Sequence, residues 1–108
     1  MNVELTGKWK LIETLVDPGD GSGTFSQVES EKIVEFHSDG KIASNGSLCG
    51  VSTEINFPSE GTFSLADSTI NIEGCGNFPF KTTFKHRGKL LFIHYPCDEA
   101  CIEKYTKQ

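Results

Sequence analysis

Short alternations of apolar and polar residues, each ended by a turn, constrain this chain more than any other feature. They lie at Gly7–Val16, Lys32–His37, Lys41–Asn45, Thr62–Ala66, Thr69–Glu73, Pro79–Lys85, Lys89–Tyr95 and Cys101–Thr106. A period of two marks a strand with one buried face, and no stretch carries the period of an amphipathic helix. Eight such runs in 108 residues predict one all-β domain over 1–108, either a sandwich or a barrel closed on itself.

Turn chemistry favours an up-and-down order. His37-Ser38-Asp39-Gly40-Lys41 fits a three-residue hairpin loop closed by a left-handed glycine, which sets Phe36 opposite Ile42. Lys85-His86-Arg87-Gly88-Lys89 has the same form and would pair Phe84 with Leu90. A two-residue turn at Asp67-Ser68 would pair Leu65 with Ile70. Each register places an apolar residue against another, and a one-residue slip would undo that match. The expected inward set is Trp9, Leu11, Val34, Phe36, Ile42, Phe63, Leu65, Ile70, Ile72, Phe80, Phe84, Leu90 and Phe92, with Thr82 among them. Leu90-Leu91-Phe92-Ile93 is apolar on both faces, so a second packed surface is open there.

In such an order the tight turns share one end, and the long connections Asp17–Glu31, Gly46–Gly61, Gly74–Phe78 and Pro96–Ala100 share the other. The shape is a cup with Cys49, Cys75, Cys97 and Cys101 all on its open rim. An even cysteine count in a small domain favours two disulfides and an oxidising compartment. A Cys97–Cys101 bridge would span a short loop and leave Cys49 to pair with Cys75, although four cysteines allow three pairings. A bridge of the latter kind stabilises by about 3 kcal/mol on a chain-entropy argument. A four-thiolate zinc site on the same rim is the competing reading. Met1-Asn2-Val3-Glu4 has neither a basic nor an apolar leader region, so export would depend on a leader outside this sequence.

Gly7-Lys8-Trp9, opening the first strand within Leu5-Thr6-Gly7-Lys8-Trp9-Lys10-Leu11, resembles the G-x-W motif of the lipocalin-like or calycin proteins. The resemblance extends over nearly the whole chain as strand order, and is greatest to the short bacterial lipocalin-like domains, many of them envelope lipoproteins. It implies an eight-stranded antiparallel up-and-down barrel with Trp9 at the closed end, in a bacterial cell envelope (periplasm or outer-membrane lipoprotein) or secreted setting. Longer members lay a late Arg over this Trp. Arg87 falls in a turn here, so the cationic cover would come from Lys104 or Lys107.

A cup of this kind implies non-enzymatic binding of a small apolar or amphipathic ligand, held by buried apolar area and oriented by a few polar groups. The lining residues would be Leu11, Phe36, Phe63, Phe84 and Phe92, with Glu13, Ser44, Thr82 and His94 as polar anchors. Glu13 continues the Trp9–Leu11 face unless the first strand bulges, and His94 continues the Leu90–Phe92 face. A barrel of eight strands can also be filled by its own side chains. In that case a protein-interaction or protease-inhibitor-like module acting through the rim loops is the alternative.

Other classes have less support. An acidic balance of 15 carboxylates against 10 bases, with Arg87 as the lone arginine, argues against nucleic acid as a partner. No run of apolar residues is long enough for a membrane-spanning helix. His37, His86 and His94 show no ligand spacing, and no nucleophile, base and orienter converge, so neither an enzyme nor a cofactor is expected. Asp17 and Asp20 in the string Asp17-Pro18-Gly19-Asp20-Gly21-Ser22-Gly23 could offer oxygens to calcium, against the plainer reading of a glycine-rich connection. A monomer or weak dimer is expected.

Overall fold

The computed structural model describes residues 5–16, 23–75, 81–97 and 100–108. Among them nine strands and no helix form: β1 (Gly7–Val16), β2 (Ser26–Gln27), β3 (Ile33–Phe36), β4 (Lys41–Ser44), β5 (Ser59–Ser64), β6 (Thr69–Ile72), β7 (Thr82–Arg87), β8 (Leu90–Tyr95) and β9 (Cys101–Lys107). One antiparallel sheet runs β2-β1-β3-β4-β5-β6-β7-β8-β9, and β9 pairs back onto β1. Eight strands therefore close into an up-and-down barrel, with two-residue β2 as a short flap on the distal half of β1. Closure leaves no long unpaired edge, which is the physical advantage of a barrel over an open sheet.

The 37–40 turn forms as its residues dictate. Phe36 pairs with Ile42, the His37 N–H donates to the Lys41 carbonyl, and Gly40 takes the positive φ of +89° that closes the loop. The other two turns differ from expectation. Phe63, not Leu65, pairs with Ile70, so the turn is two residues longer on that side and Leu65 is exposed. The inward face is unchanged, because a shift of two preserves the pleat.

At the β7–β8 hairpin the face itself changes. Arg87 pairs with Leu90 and Phe84 with Ile93, leaving Gly88-Lys89 as a two-residue turn with Gly88 at φ +60°. Glycine here opens a tight primed turn, which matches strand twist, instead of closing a longer loop. Leu91, Ile93 and Tyr95 consequently point inward, and Leu90, Phe92 and His94 point outward. Because both alternations along β8 are apolar, hydropathy could not choose between them. Phe80 of the expected core lies outside the described residues, as does the Asp17–Ser22 part of the acidic loop.

β1 carries a bulge between Leu11 and Glu13, where its pairing with β9 shifts. The extra residue turns Glu13 to the outer face, 3.6 Å from Lys104. Trp9 and Leu11, before the bulge, stay inside.

The closed end is built on Trp9, whose Nε1–H donates to the Leu5 carbonyl at 2.9 Å. Lys107 Nζ sits 4.8 Å from the Trp9 ring centre, supplying the cationic cover from one of the two lysines expected to do so. Above this layer Phe36, Phe63 and Phe84 meet across the interior at ring separations of 4.9–6.2 Å. Both disulfides, Cys49–Cys75 and Cys97–Cys101, lie at the open end.

Candidate functional site

The open end of the barrel is closed by charge and by a loop. Lys32, one residue before β3, is in phase with Val34 and Phe36, so its side chain enters the interior. Glu103 on β9 is in phase with Tyr105 and does the same from the other side. The two meet at 2.8 Å with no solvent exposure of either side chain. Burying one charge alone is prohibitive, and burying a pair is tolerated only when the remaining valences are satisfied.

Here they are. Glu103 Oε1 accepts from the Tyr95 hydroxyl at 2.6 Å and the Tyr105 hydroxyl at 2.8 Å. Its Oε2 accepts from Lys32 Nζ and from the Ser52 backbone N–H at 2.9 Å. Lys32 Nζ donates a second bond to the Ser52 carbonyl at 3.1 Å. Among the described residues no buried polar side-chain atom lacks a partner. Burial is the first cause of the tyrosine hydroxyls being held well above their ordinary value, and the Glu103 charge adds to it. Burial likewise pulls Lys32 below its ordinary value, with Glu103 opposing that shift.

Ser52 belongs to the β4–β5 connection, and the network grips it by both backbone groups. Its neighbours are held too. The Thr53 carbonyl accepts from Ser30 Oγ at 2.7 Å, Leu48 is buried in the barrel mouth, and the Leu48 N–H donates to Ser59 Oγ at 2.9 Å. Gly46 allows this approach, because a β-carbon there would lie 2.5 Å from the Glu54 carbonyl oxygen. Cys49–Cys75 ties the same loop to the end of β6. On this fastened base the six residues Thr53–Pro58 are all exposed, with Phe57 at 66% and Ile55 at 39%. Val16, at the same end of the barrel, is also exposed.

The expected lining residues divide. Leu11, Phe36, Ser44, Phe63, Thr82 and Phe84 are on the inner face. Leu11, Phe36 and Phe84 are fully buried against neighbouring side chains, and the Ser44 hydroxyl accepts from the Gly46 N–H. Glu13, Phe92 and His94 are on the outer face and do not join them. Lys104 there stands 5.7 Å from the Phe92 ring centre and 5.4 Å from that of Phe25. Partial burial and then the charge of Lys85 hold His94 below its ordinary value. Glu13 and His94 thus face outward, where they make no interior acid–base pair. The four cysteines are paired as disulfides, so none is free to bind zinc.

Lys32, Ser52, Tyr95, Glu103 and Tyr105 were not among the expected site residues. The signal was present, since Lys32 and Glu103 are opposite charges that each keep the pleat phase of a buried apolar neighbour. The barrel is compatible with a lipocalin-like fold, and its disulfides fit an oxidising, non-cytoplasmic compartment. Comparison with protein-family models, with curated proteins and with solved structures found no match.

Proposed function

We propose that this chain is a non-catalytic binding protein, lipocalin-like in architecture, of a bacterial envelope or secreted setting. It recognises a protein partner through the open-end loop. The observation that carries this reading is the contrast within one connection: Leu48, Ser52 and Ser59 are locked into the barrel while Thr53–Pro58 project with two large apolar side chains exposed. A preordered loop loses little entropy on binding, and an exposed aromatic is a common anchor for a partner's pocket. Glu54 and Glu60 flank the tip and the chain carries net charge −5, so the complementary surface is an apolar pocket with a basic margin.

A barrel of this kind is also consistent with ligand binding. The described interior, however, is occupied by the aromatic trio and the Lys32–Glu103 network, and these favour the rim over the interior as the binding surface.

The test is photocrosslinking in the native host. A benzoylphenylalanine placed at Phe57 is expected to yield one discrete protein adduct, and the same probe at Leu65, exposed at the opposite end, is expected to yield none. Equal labelling from both positions, or a small apolar molecule retained by the purified protein in native mass spectrometry with no adduct at Phe57, would overturn the proposal.

A further inference from the structure

The Glu103 carboxylate is held as a bound ligand would be. Four donors from four separate parts of the chain converge on its two oxygens: the Lys32 ammonium, the Tyr95 and Tyr105 hydroxyls, and the Ser52 amide, at 2.6–2.9 Å. Each oxygen receives two, and the Lys32 and Glu103 side chains lie in the barrel interior with no solvent exposure. Charge-assisted bonds of this length in such surroundings are the strong class, and a cage with every donor aimed at one point is preorganised for an anion.

We propose that Lys32, Tyr95, Tyr105 and the Ser52 amide form a carboxylate receptor that Glu103 occupies from within, and that this receptor takes a free small monocarboxylate when the Glu103 side chain is shortened. The occupant is an internal ligand, and its effect is to draw the rim loop down at Ser52. The inference is independent of whether that loop meets a partner.

Size selects the probe. Glu103→Ala deletes one methylene carbon, the carboxyl carbon and two oxygens, which are the heavy atoms of acetate. Acetate supplies the same two oxygens to the four donors, its methyl group meeting the shortened side chain at van der Waals instead of bonded distance. Glu103→Gln fills the same space and leaves no room for it. Lys32→Gln combined with Glu103→Ala keeps neutral donors and removes the unpaired ammonium, so this double variant is expected to be the more stable of the two and serves where the single one fails to fold.

The experiment is thermal unfolding of the three variants and the wild type in sodium acetate against sodium chloride at equal ionic strength. Acetate is expected to raise the Tm of Glu103→Ala saturably by about 5 °C or more, with half-effect in the millimolar range. It should raise the double variant by less, and leave wild type and Glu103→Gln where chloride leaves them. Restored hydrogen-exchange protection of the Ser52 amide in Glu103→Ala should follow the same titration. Recovery of folded Glu103→Ala only when acetate is present would equally support the receptor. If acetate acts no differently from chloride on both Glu103→Ala and the double variant, or acts as strongly on Glu103→Gln, the receptor does not exist.

Discussion

Lys32 Nζ lies 2.8 Å from Glu103 Oε2 although 71 residues of chain separate them. The pair joins the start of β3 to the middle of β9 through the interior, and Ser52 is bonded to both partners. Barrel closure and loop placement therefore share one set of contacts at the open end.

Removing one partner strands the other. Lys32→Ala is expected to lower unfolding stability by about 3–5 kcal/mol, because the Glu103 carboxylate is left buried without its counter-charge. Lys32→Met combined with Glu103→Leu should recover only part of that loss, since apolar side chains avoid the desolvation cost of the charges but leave the Tyr95 and Tyr105 hydroxyls and the Ser52 N–H without their acceptor. Urea titration measures both, and a double variant no more stable than Lys32→Ala would contradict the account.

Alkali should act through the tyrosines. The chain has two, and both donate to Glu103. Their hydroxyls are held well above the ordinary 10.0 in the folded state, so above about pH 10 the unfolded chain releases protons that the native one retains. Stability then falls as pH rises through that range. Lys32, lowered from its ordinary value, works in the opposite sense with one proton against two. Tyrosinate absorbance should stay absent until the barrel unfolds and then appear cooperatively. A gradual rise in the folded protein would show the network to be open.

His94 should add an acid dependence. Its folded-state value lies below the ordinary 6.5, so the unfolded chain binds a proton more readily. Stability is highest above that value and is lost as pH falls from it toward the lower folded-state value. His94→Gln is expected to flatten the stability profile across this window, read from Tm against pH. An unchanged slope would assign it to other groups.

Loop tip and core should respond oppositely. Phe57→Ala is expected to change stability by no more than about 0.5 kcal/mol, because the ring is largely solvent-exposed. Phe36→Ala should cost about 3–5 kcal/mol by opening a cavity beside Phe63 and Phe84. Loss of Cys49–Cys75 by paired alanine substitution should cost about 3–4 kcal/mol, since it closes a long loop. Denaturant midpoints of the three variants give the comparison.

Much of the barrel was legible in one dimension. Alternating runs and their turns predicted strand order, the Phe36–Ile42 register and the gathering of all four cysteines at one end, because these depend on local periodicity and on neighbours in the chain. Which of the three possible pairings the cysteines make was decided by the tertiary structure. The candidate site was legible only in part. Leu11, Phe36, Ser44, Phe63, Thr82 and Phe84 face inward as expected, whereas Phe92 and His94 do not, because Gly88 fits two turn types and β8 is apolar on both faces. Glu13 was displaced by a bulge, whose position depends on how β1 meets β9.

By itself, the order of residues determined antiparallel strands in up-and-down order, with tight turns at one end and long connections at the other. A two-residue period and local turn preferences do not depend on distant partners. That the sheet closes as a barrel and not a sandwich rests on the contact of β9 with β1. Only the tertiary structure decided what occupies the open end. Whether Lys32 and Glu103 are solvated or buried depends on a contact between distant strands, and a buried charge is tolerated only when its partner, both tyrosines and the Ser52 backbone arrive together.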